Sequence, residues 1–201
     1  MEVISDIPQG DPRWFALRIG SLGGSRIGKA VAGGKGETRR QLLYDMVGEI
    51  LAGEIKQGWQ SKEMEAGLAY EDEARSAYSF YSDCEVSQIA MFREGPHWHY
   101  SPDGLVGENG LIEIKTVIPS RFVEARDTGK IDTGYRKQMQ WGLFISGREW
   151  CDYSVYCPYV RDISPIYVSR QYRDEKEIED LEEGAGRFIG DMLDLAERMR
   201  R

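Results

Sequence analysis

Asp103, Glu113 and Lys115 have the types and spacing to do chemistry together. They lie in Ser101 to Lys115, which reads SPDGLVGENGLIEIK. Gly104 and the run Gly107-Glu108-Asn109-Gly110 are turn formers, so two short strands should meet here as a hairpin. Residues two apart on a strand share a face at roughly 6.6 Å separation. Glu113 and Lys115 should therefore point the same way, with Leu111, Ile112 and Ile114 as the apolar remainder. Asp103, on the neighbouring strand or just off its end, would set a second carboxylate beside Glu113. Two converging carboxylates make a hard oxygen site suited to Mg2+, or to Mn2+ as a substitute. A lysine beside such a site orients an attacking water and offsets charge on a scissile phosphate. An isolated E-x-K reads more simply as a charged strand with a surface ion pair. The Pro-Asp-Gly upstream at this spacing reverses that balance.

Pro102-Asp103 followed by Glu113-x-Lys115 resembles the PD-(D/E)xK nuclease signature in full. The wider pattern resembles the phage lambda exonuclease family, also called the YqaJ-type viral recombinases. Three further places carry the likeness. Trp14 to Ser25, WFALRIGSLGGS, is similar to the family's W-x-x-x-R-x-G…S opening. Gly67 to Arg75, GLAYEDEAR, is similar to its G-x-x-Y-E-x-x-A-R helix, and Tyr135 to Trp141, YRKQMQW, to its Y-x-x-Q-x-Q helix. Together these run in the family's order through the N-terminal three quarters of the chain. The C-terminal remainder matches no motif.

The resemblance implies an α/β fold with a restriction-endonuclease-like core, a mixed central sheet flanked by helices. It implies Mg-dependent hydrolysis of DNA phosphodiesters, with two ions per active site. Digestion would remove one strand of linear double-stranded DNA from its 5′ end, leaving a 3′ single-stranded tail for recombination by strand annealing. A ring-shaped homotrimer around the DNA and a single-strand annealing protein as partner are implied as well, in a phage or prophage setting. Carried over residue by residue, Asp103 and Glu113 become metal ligands, with Glu71 and the backbone carbonyl of Ile114 adding to the set. Lys115 completes the catalytic group. Arg18, Ser25, Ser101 and Gln138 would bind the terminal 5′-phosphate, with Tyr135 in support. The alternatives are another PD-(D/E)xK repair nuclease or endonuclease, and a catalytically silent DNA-end-binding module. The intact Asp103, Glu113 and Lys115 set argues against the last.

The elements that must position these residues are legible in outline. Asp11-Pro12 is a helix start, with Asp11 as the cap and Trp14, Phe15 and Leu17 as an apolar face ended by Gly20. Gly23-Gly24-Ser25 opens a second short helix, where Arg18 and Ser25 suggest an anion site. Gly33 to Arg40 reads as a loop, with Thr38 capping a helix to Ala52 whose face is Leu42, Met46, Val47, Ile50 and Leu51. A connection holding Trp59 leads to a longer helix from Ser61 to Tyr81, with Met64, Leu68, Ala74 and Tyr78 inward and Glu71 in an acidic turn. Strands are expected over 85–92, 98–106, 110–117, 150–157 and 163–169. Helices are expected over 120–128 and 135–145; on the latter Tyr135 and Gln138, three apart, share a face. Residues 173–201 should form one or two acidic helices, interrupted near Gly184-Ala185-Gly186. There is no internal repeat.

Composition limits the classes. At 201 residues a single nuclease domain over 1–201 is the default, large enough for a real core. With 41% hydrophobic and 30% charged residues the chain should be globular. No apolar run approaches the ~20 residues needed to span a bilayer. The acidic, polar start is no signal peptide, so the expected location is cytoplasmic. Cys84, Cys151 and Cys157 are odd in number and scattered, against a disulfide framework, zinc spacing or a four-cysteine cluster. His97 and His99 flank Trp98; a metal role is open to them, but the ordinary strand reading outweighs it. The net charge of −8 is awkward for a DNA binder, but residues 1–40 carry a local +3 against −11 in the rest. Arg13, Arg18, Arg26, Lys29, Lys35, Arg39 and Arg40 would line a DNA-facing surface.

Overall fold

The computed structural model describes residues 1–33, 36–55 and 62–201, the side chains of 62–68 excepted. Lys35, Trp59 and Ser61 thus lie outside the described residues, as do the side chains of Met64 and Leu68.

The central sheet grows from the expected hairpin. β5 (Gly104–Val106) and β6 (Gly110–Thr116) pair antiparallel, and Gly107 takes a positive φ of 55° in the turn between them. Pro119 then stops the strand and sits in the first turn of α5 (Pro119–Thr128), where its fixed φ suits a helix start. α5 and α6 (Thr133–Ser146) carry the chain back, so β7 (Trp150–Tyr156) lies parallel to β6. A parallel pair requires a crossover of this kind. β8 (Ile166–Tyr172) adds antiparallel to β7, and β2 (Val86–Ser87) antiparallel to β5. The result is a mixed five-stranded sheet in the order β2-β5-β6-β7-β8. A second, antiparallel sheet joins β1 (Glu2–Ile4), β3 (Met91–Glu94) and β4 (Trp98–Tyr100).

Helices cover both faces of the large sheet. On one, Ala74 and Tyr78 of α4 (Lys62–Ser82) pack with Ile112 and Ile114 of β6. On the other, Leu111 joins a larger core with Met139 and Leu143 of α6 and Phe188 and Met192 of α7 (Glu175–Arg200). Strand alternation puts Glu113 and Lys115 on the Leu111 face. α1 (Pro12–Arg18) starts at the Asp11 cap as expected. α2 (Gly24–Ala30) packs on α6, and α3 (Glu37–Ala52) on α7.

Several expectations need correction. The segments 85–92 and 98–106 are not single strands: each breaks, and its halves lie in different sheets. None of residues 98–106 is exposed, so no polar alternation marks the crossing at Ser101 to Asp103. β1 was not expected; three residues are too short to show a period. The final strand spans Ile166–Tyr172, later than 163–169. α7 is one uninterrupted helix. Its Gly184 is a contact position, where an added Cβ would lie 2.8 Å from Val31 Cγ1. α3 starts at Glu37 after Gly36, and Thr38 is not its cap. Leu51 is 48% exposed, off the core face. Among the described residues, no helix is long and apolar enough to cross a membrane. All three cysteines are free, with Cys151 and Cys157 buried and Cys84 exposed.

Candidate active site

Glu113 is the centre of the site. It is 1% exposed, and its carboxylate accepts from three donors. Lys115 Nζ donates to Oε1 at 2.6 Å, Gln138 Nε2 to the same oxygen at 2.7 Å, and Tyr100 Oη to Oε2 at 3.0 Å. Three elements supply these groups: β6 by its two-residue period, α6 from above, and β4 from the second sheet. Lys115 Nζ also sits 4.6 Å from the centre of the Tyr135 ring, which stacks on Tyr153 at 6.0 Å. Burial alone would push the Lys115 ammonium toward its neutral form. The Glu113 and Asp103 carboxylates outweigh it and hold the pKa above the ordinary lysine value.

Asp103 stands at the crossing between the sheets, just before β5. Its Oδ2 accepts from the Ile114 N–H at 2.6 Å, which locks the carboxylate beside β6. Its backbone carbonyl accepts from Arg75 Nη1 at 3.0 Å, and the same nitrogen reaches Glu71 Oε1 at 2.6 Å. Burial, and then the neighbouring Glu113 charge, push the Asp103 carboxyl up to about 8, although Lys115 and the Ile114 N–H pull the other way. The site therefore sets two carboxyl groups against one lysine, and a proton on Asp103 makes up the difference. A divalent cation is the group that such a donor set fits. Among the described residues, no three His, Cys, Asp or Glu side chains stand close enough to form a metal cluster. Glu71 is drawn instead to Arg75.

The four residues expected at a phosphate fall in two places. Ser25 and Gln138 line one depression with Tyr135, Lys29 and Lys137. Arg18 lines a cleft with Trp14, Glu71 and Arg75. Trp14 joins Arg18 to Ser101: its ring lies 4.0 Å from the Arg18 guanidinium carbon, and its Nε1 donates to Ser101 Oγ at 3.2 Å. Three of the seven N-terminal cations expected to face DNA are paired internally. Arg13 bonds Asp11, Arg39 bonds Asp191, and Arg26 makes a two-pronged pair with Glu49.

Sequence reasoning missed Tyr100, Arg75, Trp14 and His99. Two of these had a signal. Arg75 lies four residues after Glu71, and Trp14 four before Arg18, both helical-neighbour spacings. Tyr100 and His99 had none, because their partners are 13 and 81 residues away.

Residues 13–149 match the YqaJ-like viral recombinase domain. Two crystal structures of the alkaline exonuclease LHK-Exo from Laribacter hongkongensis, one in complex with dAMP, are 29% identical in sequence. They align with TM-scores of 0.86 and 0.87 over 94% of this chain and 96% of that one. A phage related exonuclease from Haemophilus somnus 129PT shares the fold at 14% identity, with a TM-score of 0.69 over 89% of this chain and 96% of the other. No curated protein sequence matches the chain.

Proposed function

Because the chain belongs to the YqaJ-like viral recombinase family and is a DNA exonuclease, we propose that it hydrolyses one strand of linear duplex DNA from the 5′ end with Mg2+. The observation that carries this reading is the convergence of Asp103, Glu113 and Lys115 in a buried site with two carboxyl groups to one lysine. Nucleases of this kind are generally metal-dependent. Asp103 and Glu113 would hold the ion, with Glu71 and the Ile114 carbonyl completing the set for a second. Bound there, Mg2+ supplies Lewis-acid stabilisation of the leaving oxygen and a more acidic water.

The chain's own groups do the rest. Tyr100 and Gln138 fix the Glu113 carboxylate from opposite sides, so its free lone pairs keep one direction. Lys115, held between Glu113 and the Tyr135 face, points a permanent charge at the reacting phosphate and orients the attacking water. Arg18 offers a planar fork to a terminal phosphate, which carries more charge than an internal diester. Ser101, joined to Arg18 through Trp14, adds a hydroxyl, and Ser25 would add one from the neighbouring depression. That pocket sets the 5′ polarity. The Laribacter hongkongensis protein is called an alkaline exonuclease. An Asp103 carboxyl at about 8 favours the same bias here, since the ion competes with a proton for it. The family likeness also supports a ring-shaped homotrimer and a single-strand annealing partner that coats the 3′ tail.

The deciding experiment is a time course on end-labelled linear duplex, with a 5′-phosphate or a 5′-hydroxyl, in Mg2+ and in EDTA, beside covalently closed circles. Mononucleotides should appear from the 5′-phosphorylated strand in Mg2+ alone, and circles should stay intact. Cleaved circles would make the protein an endonuclease. Tight end binding without cleavage would make it a binding module.

A further inference from the structure

His99 does not belong to the carboxylate cluster, yet it is 2% exposed and both of its ring nitrogens are engaged. Nε2 lies 3.2 Å from Arg18 Nε, and Nδ1 lies 2.8 Å from Ser21 Oγ. Arginine has donors only, so Nε2 must present a lone pair. The ring proton is then on Nδ1 and is donated to Ser21. The ring is seated against the residue that precedes α2: a Cβ added at Gly23 would lie 2.4 Å from Nε2, so only glycine leaves room for it. Burial, and then Arg18, Arg26 and Arg93, hold the imidazolium pKa well below the usual histidine range, which keeps the lone pair available at neutral pH.

The consequence falls on Arg18. Its Nε is taken by His99, and its flat face lies on Trp14. An arginine can grip a phosphate side-on through Nε and one Nη, or end-on through both Nη groups. With Nε occupied, the end-on fork alone remains, and it opens into the cleft shared with Glu71 and Arg75. Burial also draws the Arg18 pKa down to about 10, which leaves it fully charged at neutral pH. We infer that His99 is a positioning residue: it holds Arg18 in one rotamer so that both Nη groups face the 5′-phosphate of the DNA end. The inference rests on the phosphate pocket proposed above.

The test uses three variants and one spectrum. Steady-state rates are measured on linear duplexes with 5′-phosphate and 5′-hydroxyl ends. His99→Phe keeps the ring and removes the acceptor. It should cut the phosphate-over-hydroxyl preference roughly tenfold through KM, with little change in kcat or in the rate on hydroxyl ends. His99→Gln restores an acceptor and should recover most of the preference. Arg18→Ala should lose the preference, and adding His99→Phe to it should cost nothing more. Equal losses on both ends, or a lower kcat with KM unchanged, would mark His99 as merely structural. The wild-type 15N spectrum of the histidine ring, which needs no variant to fold, should show Nδ1 protonated and Nε2 bare. An Nε2–H tautomer overturns the positioning role, as does a His99→Phe enzyme that keeps a preference which Arg18→Ala loses. If Arg18→Ala itself keeps the preference, the phosphate pocket falls instead.

Discussion

Asp103 pairs a buried carboxyl with a like charge, and this reverses the ordinary effect of pH on an acid. Folding lifts its pKa from 3.8 to about 8, so the folded chain keeps a proton that the unfolded chain has lost. Its contribution to stability is therefore greatest below about pH 4, falls as pH rises through that window, and is level above about 8. A divalent ion takes the proton's place. Added Mg2+ should raise the melting temperature little near about pH 5 and most near about pH 9. Asp103→Asn keeps an acceptor for the Ile114 N–H and removes the repulsion. It should melt higher than wild type in EDTA at neutral pH, flatten the pH dependence, and cleave no DNA. Differential scanning calorimetry with and without Mg2+ reads the first two and the end-labelled duplex assay the third, and a Mg2+ effect independent of pH would show Asp103 ionised throughout. Lys115 is the opposite case, a buried cation kept charged by two carboxylates. Lys115→Ala should lower kcat by about 100-fold or more while duplex affinity in Ca2+ stays within a few fold. Affinity that collapses with rate would make it a DNA anchor.

At the scale of elements, the site is a meeting of four: β6 brings Glu113 and Lys115, β4 brings Tyr100, α6 brings Gln138 and Tyr135, and the crossing brings Asp103. Tyr100 is the part most easily isolated. Tyr100→Phe keeps the buried ring and removes one charge-assisted bond, which costs about 1.5–3 kcal/mol. Urea unfolding should show that loss, and kcat should fall as Glu113 loosens. A variant as stable as wild type would mean that water replaces the hydroxyl. How much of this could be read in advance depended on distance along the chain. Glu113 and Lys115 were placed on one face by the strand period, and Asp103 by the glycines of the hairpin. Tyr135 and Gln138 followed from helical spacing. The β4 partners of Glu113 and Arg18, a donor and an acceptor in turn, could not be read, because they depend on how the small sheet packs on α1 and α6. The split of 98–106 into two strands was hidden for a related reason: a segment buried on every side shows no alternation. Gly184 misled because glycine marks both a break and a tight helix contact.

Across the whole molecule, part of the positive charge suggested by the N-terminal residues is paired within the chain. Arg13, Arg26 and Arg39 neutralise carboxylates of their own chain, and the net charge is −8. These three cations are then less able to displace counterions from the DNA backbone. The logarithm of duplex-end affinity, measured in Ca2+ by fluorescence anisotropy, should fall with the logarithm of salt at a slope no steeper than about −3. A slope near −6 or beyond would require a basic surface formed only on assembly or on DNA binding.

The crossing from β4 to β5 also fixes a length. Within five consecutive residues, His99 holds Arg18, Tyr100 holds Glu113, Ser101 meets Trp14, and Asp103 meets Ile114. On the proposed reading Ser101 stands on the end-reading side and Asp103 on the cutting side, two residues apart, at most roughly 7 Å of chain. That is the scale of a single nucleotide. On the proposed reading, the length removed at each step would then be bounded by covalent bonds, which thermal motion of side chains cannot stretch. Substitutions around it should change how fast the enzyme bites, and leave unchanged the size of the bite.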